Sequence, residues 1–202
     1  MSPTYALVEL VTADGSHGLS CGLGPGRYAR HAYLNDIISR SLTLTGVPNI
    51  KEPPGISRTD GKRPDGLTLI PWQGGRCLFW DATVTDTVAP SYLPQTFSVA
   101  RAAAELAANR KIAKYSQLTT SYHFVPVAFE TMGPINSSGI ELSKELGRRT
   151  TIITGDAKGT SYLFQRLLVA IQRFNAVALR PAAGHRRRLT VPETHITFSG
   201  CL

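Results

Sequence analysis

The chain has 202 residues, a hydrophobic fraction of 42% and a formal net charge of +8, which suits one domain with a real core and an anionic partner, nucleic acid being the usual one. No apolar run approaches the roughly 18 residues that span a bilayer, and the N-terminus lacks the basic-then-apolar pattern of a secretory signal. Three widely spaced cysteines do not make a disulfide framework, so the expectation is a reduced, intracellular protein with no membrane partner.

Residues 1–27 are rich in Gly and Ser with little helical period and read as an N-terminal arm. His17 and Cys21 stand four apart, with His31 ten further on. These residue types ligate zinc, but three ligands are too few for a closed structural site, and the spacing alone favours a metal-free segment. A first helix is predicted from Tyr28 or Ala29, with Leu34, Ile37, Ile38 and Leu42 on one face and Gly46 and Pro48 as its stop. Residues 49–52 read as a short extended piece broken by Pro53, Pro54 and Gly55. A polar, basic loop leads to Arg63.

Two apolar strands follow, carrying Leu67, Leu69, Ile70 and Trp72, then Cys77, Leu78, Phe79 and Trp80. Gln73-Gly74-Gly75 between them is a hairpin signal. Residues 85–94 read as loop, because Pro90 and Pro94 forbid a long element. Residues 99–118 give the clearest helix, free of Gly and Pro, with Ala104, Ala108, Lys111, Tyr115 and Leu118 on one stripe. A lysine on such a stripe either snorkels to water along its stem or is held inward.

Residues 122–130 form a predicted strand whose Pro126 argues for an edge or a bulge. Ser138 with Glu141 reads as a capping box, opening a helix that carries Ile140, Leu142, Leu146, Ile152 and Ile153 and stops before Gly155. The last helix is predicted over 160–179, with Leu163, Phe164, Leu167, Leu168, Ile171, Phe174 and Val177 as a broad buried face. Residues 181–202, with Arg186 to Arg188, are expected to be a basic, disordered tail. The order is helix, three strands, helix, strand and two helices, which defines an α/β or α+β class with a mixed sheet.

The hairpin carries the chemistry. Closing it brings Asp65, at the start of one strand, and Asp81, on the next, towards the same end. Two carboxylates converging among apolar residues repel each other and lose water. A cation between them relieves this, and such oxygen donors suit Mg2+ or Mn2+. The competing explanation is structural, since aspartates at strand ends also cap turns or pair with a neighbour such as Arg63.

The same element order resembles the core of the restriction-endonuclease-like, or PD-(D/E)xK, superfamily. Arg63-Pro64-Asp65 is similar to its Pro-Asp signature and Asp81 to its second acid. The lysine that normally stands two residues after the second acid is replaced here by Thr83. One branch moves that lysine to the following helix: the restriction-like endonuclease at the C-terminal end of site-specific non-LTR retrotransposon proteins. Arg30-His31 on the first helix, Glu52-Pro53 before the loop, Asp81 followed by Thr83-Val84, and Lys111-Ile112-Ala113-Lys114-Tyr115 all resemble that branch. His17 and Cys21 resemble the second half of its zinc knuckle, whose first half is missing because residues 3–12 contain no cysteine.

The resemblance covers about residues 17–180 and implies an endonuclease-like domain over 28–180. It implies Asp65 and Asp81 as metal ligands, Lys111 as the displaced catalytic lysine, and Glu52 as possible support for the metal. It also implies Arg27, Arg30, Lys62, Arg63 and Lys114 as DNA contacts. DNA is then the expected partner, with RNA through a parent reverse-transcriptase protein, and the nucleus the expected location. The alternative within the same fold is an inactive nucleic-acid-binding remnant.

Overall fold

The computed structural model describes Leu19 and residues 25–56, 61 and 63–179. His17, Cys21, Lys62 and the expected tail over 181–202 lie outside the described residues. Helix α1 (Pro25–Leu44) leads into strands β1 (Asn49–Lys51), β2 (Gly66–Gln73) and β3 (Arg76–Thr85). A short helix α2 (Leu93–Thr96) precedes α3 (Ala102–Tyr115), and β4 (His123–Glu130), α4 (Ser137–Thr154) and α5 (Gly159–Ala178) complete the order. The protein is therefore a mixed α/β fold. Its four-stranded sheet has the order β1-β2-β3-β4, antiparallel except for the parallel β3–β4 pair.

The period-two alternation of a strand divides β3 between two faces. Leu78 and Trp80 point into the main core with Val125, Val127 and Phe129 of β4, Leu34, Ile37 and Leu42 of α1, Leu142 and Leu146 of α4, and Leu163, Leu167 and Ile171 of α5. Phe79 points the other way, against Phe124 and Tyr115. On that face Ala104, Ala107 and Ala108 of α3 pack on Ala128 of β4. Asp81 is in phase with Phe79, so the strand delivers its carboxylate beneath α3 rather than into the main core.

The hairpin turns at Gly74 and Gly75, both with positive φ (57° and 73°), as a two-residue turn matched to strand twist requires. A bulge around Pro71 interrupts the ladder. There the Thr68 hydroxyl accepts the Leu78 N–H and donates to the Ile70 carbonyl, each at 2.9 Å. Strand β4 lies at the edge of the sheet, as Pro126 suggests. Its outer side is covered by Asn136, whose side chain accepts from the Ala128 N–H at 2.8 Å and donates to the Pro126 carbonyl at 3.1 Å.

Several expectations need correcting. α1 begins at Pro25, so the boundary expected at 27/28 falls inside a helix. Part of the stretch read as loop before the second long helix coils into α2, with Pro94 in its first turn, where a missing N–H costs nothing. The residue flanking the start of α4 is Asn136, not Ser138, whose hydroxyl donates to the Pro126 carbonyl instead. Ile152 and Ile153 are exposed. Close approach of Gly147 to Thr160 and of Gly159 to Thr151 closes the α4–α5 contact and leaves them outside it. On α5, Leu168 and Val177 face out while Asn175 is buried, because the helix is clasped by α1 through a polar bond described below.

Gly66 is fixed by packing. A Cβ built there would lie 2.0 Å from the Trp80 ring, which is fully buried. Gly66→Ala is therefore expected to destabilise the fold by about 1–3 kcal/mol through overpacking, read from urea denaturation. A variant as stable as the parent would contradict the close approach.

Candidate active site

Asp65 stands just before β2 and is placed by the end of β1 and the middle of β3. Its N–H donates to the Trp80 carbonyl at 3.0 Å and its carbonyl accepts from the Glu52 N–H at 2.9 Å, so the backbone ladder continues through it from β3 to the end of β1. Its side chain turns back: Oδ2 accepts the Ala82 N–H at 2.6 Å and lies 3.1 Å from Nε2 of His31. That nitrogen also lies 3.2 Å from the Ala82 carbonyl. With two acceptors around it, Nε2 is the protonated nitrogen of the ring. Behind His31, the Asn35 amide nitrogen faces the ring at 3.4 Å, and Asn35 Oδ1 accepts from Trp80 Nε1 at 3.0 Å. The indole N–H thus sets the Asn35 amide, which faces His31, whose N–H meets Asp65.

Asp81 is 5% exposed, and both of its oxygens are engaged. Lys111 Nζ reaches Oδ1 at 2.5 Å and the Tyr115 hydroxyl donates to Oδ2 at 2.6 Å. Lys111 and Tyr115 are one helical turn apart on α3, which is why one stripe of that helix supplies both. Tyr115 is itself buried and braced against Phe79 and Phe124. The Lys111–Asp81 pair has side-chain exposures of 24% and 7%, so desolvation opposes its attraction.

The charge balance of the site is unfavourable to Asp81. Burial pushes its carboxyl above the usual carboxylate range. The Lys111 charge opposes this, the Asp65 charge adds to it, and the hydrogen bonds from Lys111 and Tyr115 oppose it. His31 is raised above the ordinary imidazole value, chiefly by its hydrogen bond to Asp65, with burial working against the shift.

These groups meet in a cleft of about 520 Å³ lined by His31, Glu52, Asp65, Asp81, Lys111 and Tyr115, with Arg63 and Lys114 at its walls. Asp65, Asp81, Lys111, Glu52, Arg63 and Lys114 therefore share one cleft. Glu52 reaches it with a left-handed backbone (φ 47°), an uncommon conformation for a residue with a side chain. Arg30 departs from the expectation of a surface phosphate contact. It is 3% exposed, and its guanidinium donates to Asn175 Oδ1 at 2.7 Å, joining α1 to α5. Arg27 is exposed and borders a neighbouring cleft.

Among the described residues no group of three or more His, Cys, Asp or Glu side chains is arranged to hold a metal ion. A two-carboxylate donor set still fits Mg2+, which commonly uses one or two carboxylates with waters and substrate phosphate completing its shell. The mutual repulsion of Asp65 and Asp81 and the desolvation of Asp81 are the conditions a cation relieves. No helix of the described residues is long and apolar enough to cross a membrane. No protein-family model matches the chain, and no curated protein matches it.

Sequence reasoning did not give Asn35 or the hydroxyl of Tyr115 a role, and it read His31 as a basic or zinc-type residue and as half of the Arg30-His31 resemblance, without the bond to Asp65. A signal for the first was present: Asn35 lies between Leu34 and Ile37 in the buried sector of α1, four residues after His31. A polar amide in that sector needs a partner.

Two pH effects follow. Asp81 binds its proton at higher pH folded than unfolded, so stability rises as pH falls from the raised folded value towards the ordinary carboxylate range. Asp81→Asn is expected to lose that component, whatever its net effect on stability through the unpaired Lys111; superimposable pH profiles in urea denaturation would contradict the desolvation. His31 acts in the opposite sense. The stability it gives is full below its unfolded pKa of about 6.5 and is lost as pH rises through the raised folded value. His31→Gln should flatten the profile on that side.

Proposed function

We propose that this chain is a metal-dependent DNA endonuclease built on a restriction-endonuclease-like core. The observation that carries the reading is the meeting of Asp65, Asp81 and Lys111 in one polar cleft, from a strand end, a central strand and a helix respectively. Two acids and one amine facing a common space suit phosphodiester hydrolysis. In that reading Asp65 and Asp81 hold Mg2+ or Mn2+. A bound ion of this kind lowers the pKa of a water and neutralises charge developing on a phosphate.

The chain's own residues do the rest. Lys111 presents a preorganised positive charge to the phosphate oxygens. Tyr115 fixes the rotamer of Asp81 through Oδ2, and His31 with the Ala82 N–H fixes that of Asp65. Arg63 and Lys114, on the cleft wall, contact the backbone phosphates, so affinity falls steeply with salt. Target choice rests on a larger parent protein of the retroelement type, and the reading carries with it a nuclear location.

A second reading, a nucleic-acid-binding remnant without catalysis, is favoured by one specific observation: Asp81 has both oxygens occupied by Lys111 and Tyr115. It differs from the first in its chemistry alone.

Nicking of supercoiled plasmid separates the two. Cleavage is expected with Mg2+ or Mn2+ and not with EDTA. Asp65→Asn and Asp81→Asn should each lower it by about a hundredfold or more, and Lys111→Ala by roughly a hundredfold, in the range typical of lost electrostatic groups. Nicking that survives in the double aspartate variant would sink the endonuclease reading. Salt-sensitive DNA binding with no nicking in any protein would establish the remnant.

A further inference from the structure

A second cleft, of about 320 Å³, shares His31 and Lys111 with the first and is otherwise bordered by Arg27, Tyr28, Arg30 and Thr83 with Ala82 and Val84. Its chemistry is the reverse of the first. Among the described residues no acidic residue lines it, whereas Arg27, Arg30, Lys111 and His31 do. Arg27 is close enough to Arg30 for its charge to depress the Arg30 guanidinium, after burial as the larger cause. Arg30 is committed to Asn175 and the Leu19 carbonyl, so it contributes a fixed positive charge from the wall, while Arg27 is exposed and accessible. The Asp86 charge acts on Arg30 in the opposite sense and Lys111 is paired with Asp81, so Arg27, exposed at the cleft, is the cation an anion would meet there.

One further side chain narrows the ligand. Tyr28 stands at this cleft with 73% of its surface exposed, next in sequence to Arg27. An aromatic ring presented to water beside a cationic pocket is the pairing by which proteins hold single-stranded nucleic acid: cations take the phosphate, and the ring takes the face of an unpaired base. A paired base offers no free face to it.

We propose that this cleft is a nucleotide subsite for an unpaired residue next to the cutting site, with Arg27 on its phosphate and Tyr28 stacked on its base. The proposal rests on the nucleic-acid reading above. It goes further in assigning the enzyme a preference for DNA with an unpaired stretch beside the cut. Because His31 and Lys111 border both clefts, a strand seated here runs directly into the acid cleft.

Binding in EDTA tests this without cleavage, by fluorescence anisotropy on a labelled single-stranded oligonucleotide and on the matching duplex. Tyr28→Ala is expected to weaken single-strand binding about tenfold, as loss of one stacked base does, and to leave duplex binding within about twofold. Arg27→Gln should reduce the salt slope by about one phosphate contact. Arg148→Gln, on an exposed arginine paired with Glu145, should do neither. Equal losses on both DNAs with Tyr28→Ala, no loss on either, or an Arg27→Gln slope equal to that of the parent would overturn the subsite. Circular dichroism of each variant guards against misfolding. A protein that fails to nick plasmid yet shows the Tyr28 dependence loses the nuclease reading and keeps this one, and the converse result separates them equally.

Discussion

Asp81 is a carboxylate on a buried strand, kept from water and held in place from α3. Everything around it follows from that constraint. The strand cannot give it hydration, so Lys111 and Tyr115 supply a cation and a hydroxyl from successive turns of one helix. The helix comes close enough only because its facing residues are alanines: Ala104, Ala107 and Ala108 against Ala128. Its first turn is anchored by the buried Glu130, which accepts from the Ala104 N–H at 3.1 Å. Even so, burial outweighs the help Asp81 receives. Replacing such a buried charged pair with apolar residues is often neutral or stabilising. Desolvation thus opposes the charge of Asp81, which sits in a polar cleft beside a second acid.

Asp65 is arranged differently. Its backbone belongs to the ladder and its side chain is tied to a β3 amide and to His31 on α1. The Asn35 amide behind that histidine is fixed by the Trp80 indole, whose six-membered ring occupies the space a side chain on residue 66 would need. The sequence Asp-Gly at 65–66 thus joins an acid to the one residue small enough to pass over the tryptophan. The two acids are supported from opposite faces of the sheet, Asp65 from α1 and Asp81 from α3. That arrangement lets the cleft stay open between two rigid layers.

Much of this was legible from residue patterns. The apolar spacing in α1, the Gly-Gly turn, the Gly- and Pro-free third helix and Pro126 in an edge strand each depend on local physics, and each stands in the structure. The convergence of Asp65 and Asp81 follows from strand pairing once the hairpin register is set. What could not be read depended on distant partners. Arg30 looks like a surface cation until Asn175, far along the chain, is brought to it. The exposure of Ile152 and Ile153 depends on where α5 turns back. The share of the site held by Tyr115 and Asn35 depends on which atoms meet after packing, and composition does not encode that.

The central claim is that Asp65 and Asp81 together hold a divalent cation where nucleic acid enters the cleft. Paramagnetic broadening of backbone amides by Mn2+, with an uncleavable phosphorothioate duplex bound, tests it most directly. The account predicts that at low Mn2+ the loss of signal is centred on the cleft, earliest at Asp65, Asp81 and Ala82 and spreading to their neighbours His31 and Lys111, with no such loss in the Asp65→Asn, Asp81→Asn double variant. Broadening centred elsewhere on the chain, or the same broadening in the double variant, would contradict it.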